Sequence, residues 1–486
     1  MTHAPGISGF SLRVPRLRVP LGTWAEWTGA DPGKIEAVVG RSFRVCSPQQ
    51  NAYTLAADAV LDLIERFDVD PADVGMLALG TESSTDNAAG AVLVRGMLDA
   101  ALPARGRGPI SRACEVPEFK HACLGGVYAL KAAARYLAAD GRGRRAIVVA
   151  SDIAEYERGS TGEQTQGAGA VAMLLDTEAA LCTLDLAHSG SASAYRGIDF
   201  RKPFARHREP SYAQATRRLH DFPIFNGAYS TQCYVEATVR AIDSMFDRIE
   251  GSRAAFYDRV AAVCCHRPYE HMPMQAMAAA LVWSAARDGG VESLAPMCEG
   301  TDIDPAQVYQ EIVNTPDLFT QVQAEGVSAS PFPAFMALTR GFRRSPTFKA
   351  FAKDKMRLGN GITADLGNLY TASLPAWMGA AFETAHTDGI DLAEKTLLGV
   401  GYGSGDAAES IPMQVVPHWR EAASKLGFAD ALKDSFDLSR AQYEALHDGV
   451  EAEGLPADTG FVVSRVGETY EERFQDLGID YYDFCG

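Results

Sequence analysis

A cysteine just ahead of a helix is the first group in this sequence suited to covalent chemistry. Cys123 lies in His-Ala-Cys-Leu-Gly-Gly (121–126), and the apolar stretch after it keeps helical spacing to Asp140 and Gly141. Unpaired backbone N–H groups and the dipole at a helix start favour thiolate over thiol, which makes Cys123 a candidate nucleophile. The two following glycines allow a sharp turn and a close approach of substrate to backbone. The plainer alternative is a small core cysteine. Glu82 lies in Gly-Thr-Glu-Ser-Ser-Thr-Asp (80–86), just past the end of an apolar run. His266 closes the apolar run Arg-Val-Ala-Ala-Val-Cys-Cys-His (259–266). Taken singly, a strand-end glutamate is a solvated residue and such a histidine a packing one. Cys-Cys-His does not suit a metal, because adjacent strand residues point to opposite faces.

These residues need elements to hold them. The pattern predicts a helix over 54–67, a buried strand over 74–80 that stops just before Glu82, a helix over 124–139 and a strand over 146–152. A glycine-rich loop (162–170) opens onto a strand at 171–176. Further on come a strand over 259–266, helices at 304–314 and 332–357, and a strand over 396–405 that runs into a glycine turn. This alternation predicts an α/β fold with active residues at strand ends. With 486 residues, 47% of them hydrophobic, the chain has core enough for one large domain or two fused halves, divided here at 1–186 and 187–486. A net charge of −17 argues against general binding of nucleic acid or anionic membrane. The absence of a membrane-length apolar run or a signal-like N-terminus leads to a cytoplasmic expectation. Nine scattered cysteines without a CxxC pair suit reduced thiols and no metal site.

Eight segments in order carry a family resemblance: Gly-Thr-Glu-Ser-Ser-Thr-Asp (80–86), Ala-Cys-Leu-Gly-Gly (122–126), Val-Ala-Ser-Asp-Ile-Ala-Glu-Tyr (149–156), Glu-Gln-Thr-Gln-Gly-Ala-Gly-Ala-Val-Ala-Met-Leu (163–174), Asp-Phe-Arg-Lys-Pro (199–203), His-Arg-Pro-Tyr (266–269), Gly-Asn-Leu-Tyr-Thr-Ala-Ser-Leu (367–374) and Gly-Tyr-Gly-Ser-Gly (401–405). The chain resembles the 3-hydroxy-3-methylglutaryl-CoA synthase family of the thiolase superfamily over nearly its whole length. That resemblance implies a five-layered αβαβα fold of two similar halves, a homodimer, and a catalytic trio of Glu82, Cys123 and His266. In this reading Cys123 takes an acetyl group from a thioester and Glu82 removes a methyl proton. His266 binds the second thioester and the developing alkoxide, and backbone N–H groups of Cys123 and the Ser404 turn hold the acyl oxygen. Thr165, Ser230, Asn368, Tyr370 and Ser404 are the implied substrate-binding residues. The partners are acyl-CoA or an acyl carrier protein, acting as thioester substrates, with no separate cofactor.

Departures from the family pattern bear on the substrate. Leu124 stands where the family has tyrosine after the cysteine, which leaves the size of the pocket open. His271 and Gln275 stand where lysines meet CoA phosphates, and Asp86 is followed by Asn-Ala-Ala-Gly instead of a lysine-bearing segment. Positive charge gathers instead at Arg340, Arg343, Arg344, Lys349, Lys353, Lys355 and Arg357, and again at Arg201, Lys202, Arg206, Arg208, Arg217 and Arg218. Such clusters serve either as a solvated face or as a docking surface for an acidic carrier or CoA phosphates. Three alternatives stand beside a mevalonate-type synthase: a β-branching enzyme of polyketide assembly fed by carrier proteins, a ketoacyl-carrier synthase of the same superfamily, and a non-catalytic thiolase-fold binding partner.

Overall fold

Strands buried on both faces build the sheet beside the nucleophile, which is why they read as continuous apolar runs. The computed structural model describes residues 4–486 except 85–88, 142, 198, 200–221, 225 and 329, so Asp86 and the cations at 201–218 lie outside the described residues. The principal elements of the first part are β1 (Gly6–Arg13), α1 (Ala52–Arg66), β2 (Val74–Gly80), α2 (Gly90–Ala101), α3 (Gly125–Ala138), β3 (Arg145–Ala154), β4 (Gly167–Asp176), β5 (Cys182–Leu184) and β6 (Gly190–Ser193). There follow α4 (Gly227–Phe246), β7 (Val260–Cys265), α5 (His271–Cys298, bent at Gly290), α6 (Pro305–Asn314), α7 (Pro333–Phe342), α8 (Pro346–Lys355), α9 (Ser373–Thr387), β8 (Thr396–Gly403) and β9 (Ala407–Val415). The chain ends in α10 (Arg440–His447) and the ribbon β10 (Gly460–Val466) with β11 (Asp480–Cys485).

The main sheet runs β7-β8-β9-β5-β1-β4-β3-β2, with the short strand Glu118–Phe119 beside β2 and β6 beside β9. Strands from both sides of residue 186 therefore share it, joined where β5 pairs with β1 and with β9. Within β2 and β3 the two faces serve different cores. Leu77, Leu79, Ile147 and Val149 pack with α1 and α2, whereas Met76, Ala78, Val148 and Ala150 pack with α3. Beyond α3, β8 closes in from the other half: a Cβ on Gly401 would lie 2.7 Å from Leu124 and 3.0 Å from Val127. The outer layer on that side is α4, backed by α5. The two ends of this one sheet thus lie on either side of α3 and α9, and the layers run α1–α2, the β2–β3–β4 end, α3 with α9, the β7–β8–β9 end, α4–α5.

One boundary differs from expectation. The helical signal over 332–357 is two helices, because Ser345 caps a new start with Pro346 in its first turn and its hydroxyl accepts from Phe348 N. No described helix is long and apolar enough to cross a membrane.

Candidate active site

The thiol and the carboxylate meet because glycines let two backbones touch. β2 ends at Gly80, where a Cβ would sit 2.5 Å from Gly126. On Gly126 a Cβ would meet Ala150 at 2.8 Å and the Thr371 carbonyl at 2.9 Å, and on Gly125 it would meet the Phe119 carbonyl at 2.7 Å. The glycines after the nucleophile thus admit neighbouring protein backbone, not substrate as the sequence suggested. The contact delivers Glu82, whose Oε2 accepts from the Cys123 thiol across 3.7 Å. Cys123 is 7% exposed and precedes Gly125, the first residue of α3. Burial first, then the Glu82 and Asp152 charges, push its thiol well above the usual range. The resting group is a thiol, contrary to the thiolate that a helix start alone predicts.

Asp152, which the sequence motifs do not single out, holds this corner together. Its Oδ1 accepts from Thr81 Oγ1 (2.9 Å), Glu82 N (2.8 Å), Ser83 N (3.0 Å) and Ser83 Oγ (2.8 Å), and its Oδ2 accepts from Thr371 N (2.9 Å) and the Thr371 hydroxyl. Burial pushes its carboxyl up, while hydrogen bonds led by Thr371 pull it back. Its place at the end of β3, parallel to β2, is the signal that would have found it. An asparagine there must turn N–H donors towards N–H donors. Asp152→Asn is therefore expected to lower stability by about 1–3 kcal/mol and to slow turnover, read as a lower thermal-unfolding midpoint and a reduced kcat.

Cys123 opens onto a cavity of about 340 Å³ whose walls include Thr165, Ser230, His266, Asn368, Tyr370 and Ser404. Every substrate-binding residue expected from the sequence therefore reaches one space, and Glu82 stands behind Cys123. His266 is fixed through its backbone: its N–H donates to Val400 O and its carbonyl accepts from Tyr234 Oη, both at 2.7 Å. Its ring packs against those of Tyr234 and Tyr402, which also meet each other edge-on at 4.9 Å, and its buried Nδ1 has no partner among the described residues. Burial lowers its pKa to about 3, so it meets a ligand as a neutral imidazole. Asn368 Oδ1 accepts from Tyr370 N (2.9 Å) and Ser373 Oγ (3.2 Å), and its side chain also bonds Tyr156, so it shapes the turn as well as lining the cavity. The end of β8 abuts the nucleophile loop, since a Cβ on Gly403 would lie 2.8 Å from the His121 carbonyl. That approach brings the Ser404 turn beside Cys123.

A second polar cluster clamps the Thr165 wall. Glu163 Oε1 accepts from Trp24 Nε1 (3.2 Å) and Tyr443 Oη (2.8 Å), and Oε2 accepts from Gly159 N (2.7 Å). Leu124 is fully buried against Gly401 and Gly403 and lines no part of the cavity, so the missing tyrosine does not set the pocket's size directly.

Of the cations at 340–357, Arg343 is half-buried and lies close enough to Tyr269 and His271, at the cavity mouth, to shift both. Burial and Arg343 lower the His271 pKa. Arg340, Arg344 and Lys349 are exposed. Lys355 is engaged elsewhere, pairing with Asp354 at 2.9 Å and donating to Asp258 O.

A thiol and a carboxylate meeting where the ends of two strand-helix units converge, within five alternating layers, define a thiolase-fold condensing enzyme. Known proteins agree. The family described as hydroxymethylglutaryl-coenzyme A synthase N terminal matches residues 2–180. A hydroxymethylglutaryl-CoA synthase of Enterococcus faecalis is 31% identical over 443 residues, covering 91% of this chain and 91% of its own. One from Haloferax volcanii is 26% identical over 487 residues, covering 97% and 98%. The solved structure of MvaS in complex with 3-hydroxy-3-methylglutaryl coenzyme A aligns with a TM-score of 0.76 at 25% identity, over 100% of both chains. This chain belongs to the hydroxymethylglutaryl-CoA synthase family, and it is an acyl-transferring enzyme that forms carbon–carbon bonds.

Proposed function

We propose that the enzyme condenses an acetyl thioester with the ketone of an acetoacetyl-like thioester, and that Cys123 carries the acetyl group. The observation that carries this reading is the 3.7 Å contact between Cys123 and Glu82 at the wall of a cavity that also receives His266. Because the resting thiol is protonated, its proton passes to Glu82 as sulfur attacks the donor carbonyl. The tetrahedral intermediate collapses, the donor thiolate leaves and takes that proton, and Glu82 is ionised again. Glu82 then removes a proton from the acetyl methyl group, and the resulting carbanion attacks the acceptor ketone. The neutral His266 donates a hydrogen bond to the developing alkoxide, which takes the proton held by Glu82. Water cleaves the Cys123 thioester, leaving a free carboxylate on the product and restoring the thiol. No step draws on a metal or redox cofactor.

The carrier of the substrates follows from the mouth of the cavity. Val38, Val39, Pro268, Tyr269 and Met272 give it apolar walls, suited to a phosphopantetheine arm. The positions of the expected lysines are His271 and Gln275, and among the described residues a cation returns beside His271 through Arg343, at the C-terminal end of α7. We infer that at least one substrate arrives on an acidic carrier protein or as CoA held in a shifted pose. The test measures product formation from acetyl donors with acetoacetyl-CoA or acetoacetyl-carrier protein, in wild type and with charge reversal at Arg343, Arg344 and Lys349. The reversals are expected to lower kcat/KM for the carrier-bound acceptor by about tenfold at low ionic strength, a loss that shrinks as salt rises. Equal use of both acceptors without any effect of the reversals makes the segment ordinary surface and leaves the CoA reading. No product from either acceptor removes the condensing function itself.

A further inference from the structure

The Ser404 turn, which closes the cavity over Cys123, is held by a segment far from it in sequence. Asp406 and Ala194 exchange both backbone hydrogen bonds (2.8 and 3.1 Å), and Arg196 N donates to Gly405 O at 2.7 Å. Asp199 Oδ2 accepts from Tyr402 Oη (3.0 Å) and Gly405 N (3.3 Å). The Arg196 side chain then extends the tie beyond the turn. Its guanidinium is buried and pairs with Asp406 at 3.6 Å, with Asp317 at 3.3 Å and with Glu236. Glu236 stands on α4, whose first turns give Ser230 and Tyr234 to the cavity. Asp317 accepts from Thr320 N at 3.1 Å and so starts the helix Leu318–Glu325.

One positive charge therefore joins three carboxylates on three elements. Burial, with Glu236 and Asp199 adding to it, raises the Asp406 carboxyl to about 7 even though Arg196 opposes the shift. Cys233 and Tyr402 face the same group, and both are neutral because burial raises them far above their usual values. Glu236 keeps a second cation, Arg240 at 3.5 Å, and Asp317 is exposed, so the loss of Arg196 falls on Asp406, whose buried carboxyl loses its counter-charge and its tie to α4.

We propose that Arg196 is a positioning residue for the condensing reaction: by gripping Asp406 and Glu236 together, its guanidinium sets the Ser404 turn against the Ser230 face of α4 and so fixes the site that receives the acyl oxygen above Cys123. The inference rests on the proposed condensing function, with the Ser404 turn holding the acyl oxygen as the family resemblance implies.

The test compares wild type with Arg196→Met, Arg196→Lys, Asp406→Asn and the Arg196→Met/Asp406→Asn pair. It measures the single-turnover rate of acetyl transfer to Cys123 by intact mass, normalised to titratable Cys123, together with the donor KM. Displacing the turn by a fraction of an ångström is expected to slow acetylation by about tenfold or more in Arg196→Met, with a much smaller change in KM. Asp406→Asn, which removes a buried acid and needs no new space, is expected to slow it several-fold. Because the two residues act through one contact, the double variant is expected to match Asp406→Asn and not to multiply the losses. Arg196→Lys keeps the charge without the fork and should fall between wild type and Arg196→Met. A purely structural role would lower the folded fraction and leave the rate per active site unchanged. Rates within twofold of wild type in Arg196→Met, or in Asp406→Asn and Arg196→Lys if the methionine variant does not fold, overturn the proposal. A wild type that takes no acetyl on Cys123 overturns the condensing reading instead, and this inference falls with it.

Discussion

Replacing Cys123 by alanine is expected to abolish the acyl-enzyme and to lower turnover by about 10⁴-fold or more, the scale on which removal of a covalent nucleophile acts. No second thiol is placed to substitute. Cys264 and Cys265 are buried in β7, and Cys233 lies on α4 behind the Ser404 turn with its thiol held neutral by burial. The alanine also removes the partner of Glu82 without adding bulk at a buried position, so the fold should survive. Incubation with acetyl-CoA or acetyl-carrier protein, followed by intact-mass measurement, should show one acetyl adduct in wild type and none in Cys123→Ala. Equal labelling of both proteins would assign the acyl group to another residue. A further consequence follows from the raised thiol: acetylation should rise with pH when Glu82 is absent and depend less on pH when it is present.

What the sequence shows and hides at this site divides along physical lines. β2 coincides with the apolar run at 74–80 because a strand buried on both faces leaves an unbroken local signature. α3 was legible from helical spacing, and Cys123, Glu82 and His266 from the motifs around them. Invisible were the contacts that join distant residues. Asp152 meets Thr371 across 219 positions, Glu163 meets Tyr443 across 280, and Arg196 meets Glu236 across 40. No local pattern records such a bond, since each residue alone looks like an ordinary strand-end or helix-surface charge. The glycines at 125 and 126 show the same limit. Their need for space was readable, but whether substrate or backbone fills it depends on where Phe119, Ala150 and Thr371 fold. The thiol's protonation is likewise a tertiary property, in which burial and Glu82 outweigh the helix start. The C-terminal ribbon left no signal strong enough to read, and it docks through Asp58, whose Oδ1 accepts from Phe461 N at 2.9 Å.

Glu82→Gln is expected to separate the two halves of the reaction. Glutamine keeps the size of the side chain and its contact with Cys123 but cannot take the methyl proton, so condensation should fall by about 10²–10⁴-fold at every pH. Acetylation should respond differently. In wild type the Glu82 charge is one of the groups that raise the Cys123 thiol, second only to burial. Removing that charge brings the thiol pKa down, though burial still holds it above its ordinary value, and this offsets the loss of a proton acceptor. The variant should therefore acetylate slowly near neutrality and approach the wild-type rate as pH rises and the thiolate fraction grows, while acetyl-Cys123 accumulates because nothing consumes it. Rapid mixing with acetyl donor, quenching and intact-mass readout follow the first step, and release of the condensed product after addition of the acceptor follows the second. Condensation at a near-normal rate would exclude Glu82 as the base. Equal loss of both steps at all pH values, with normal stability, would make the carboxylate essential to acyl transfer itself and move the proton abstraction to another group at the cavity wall.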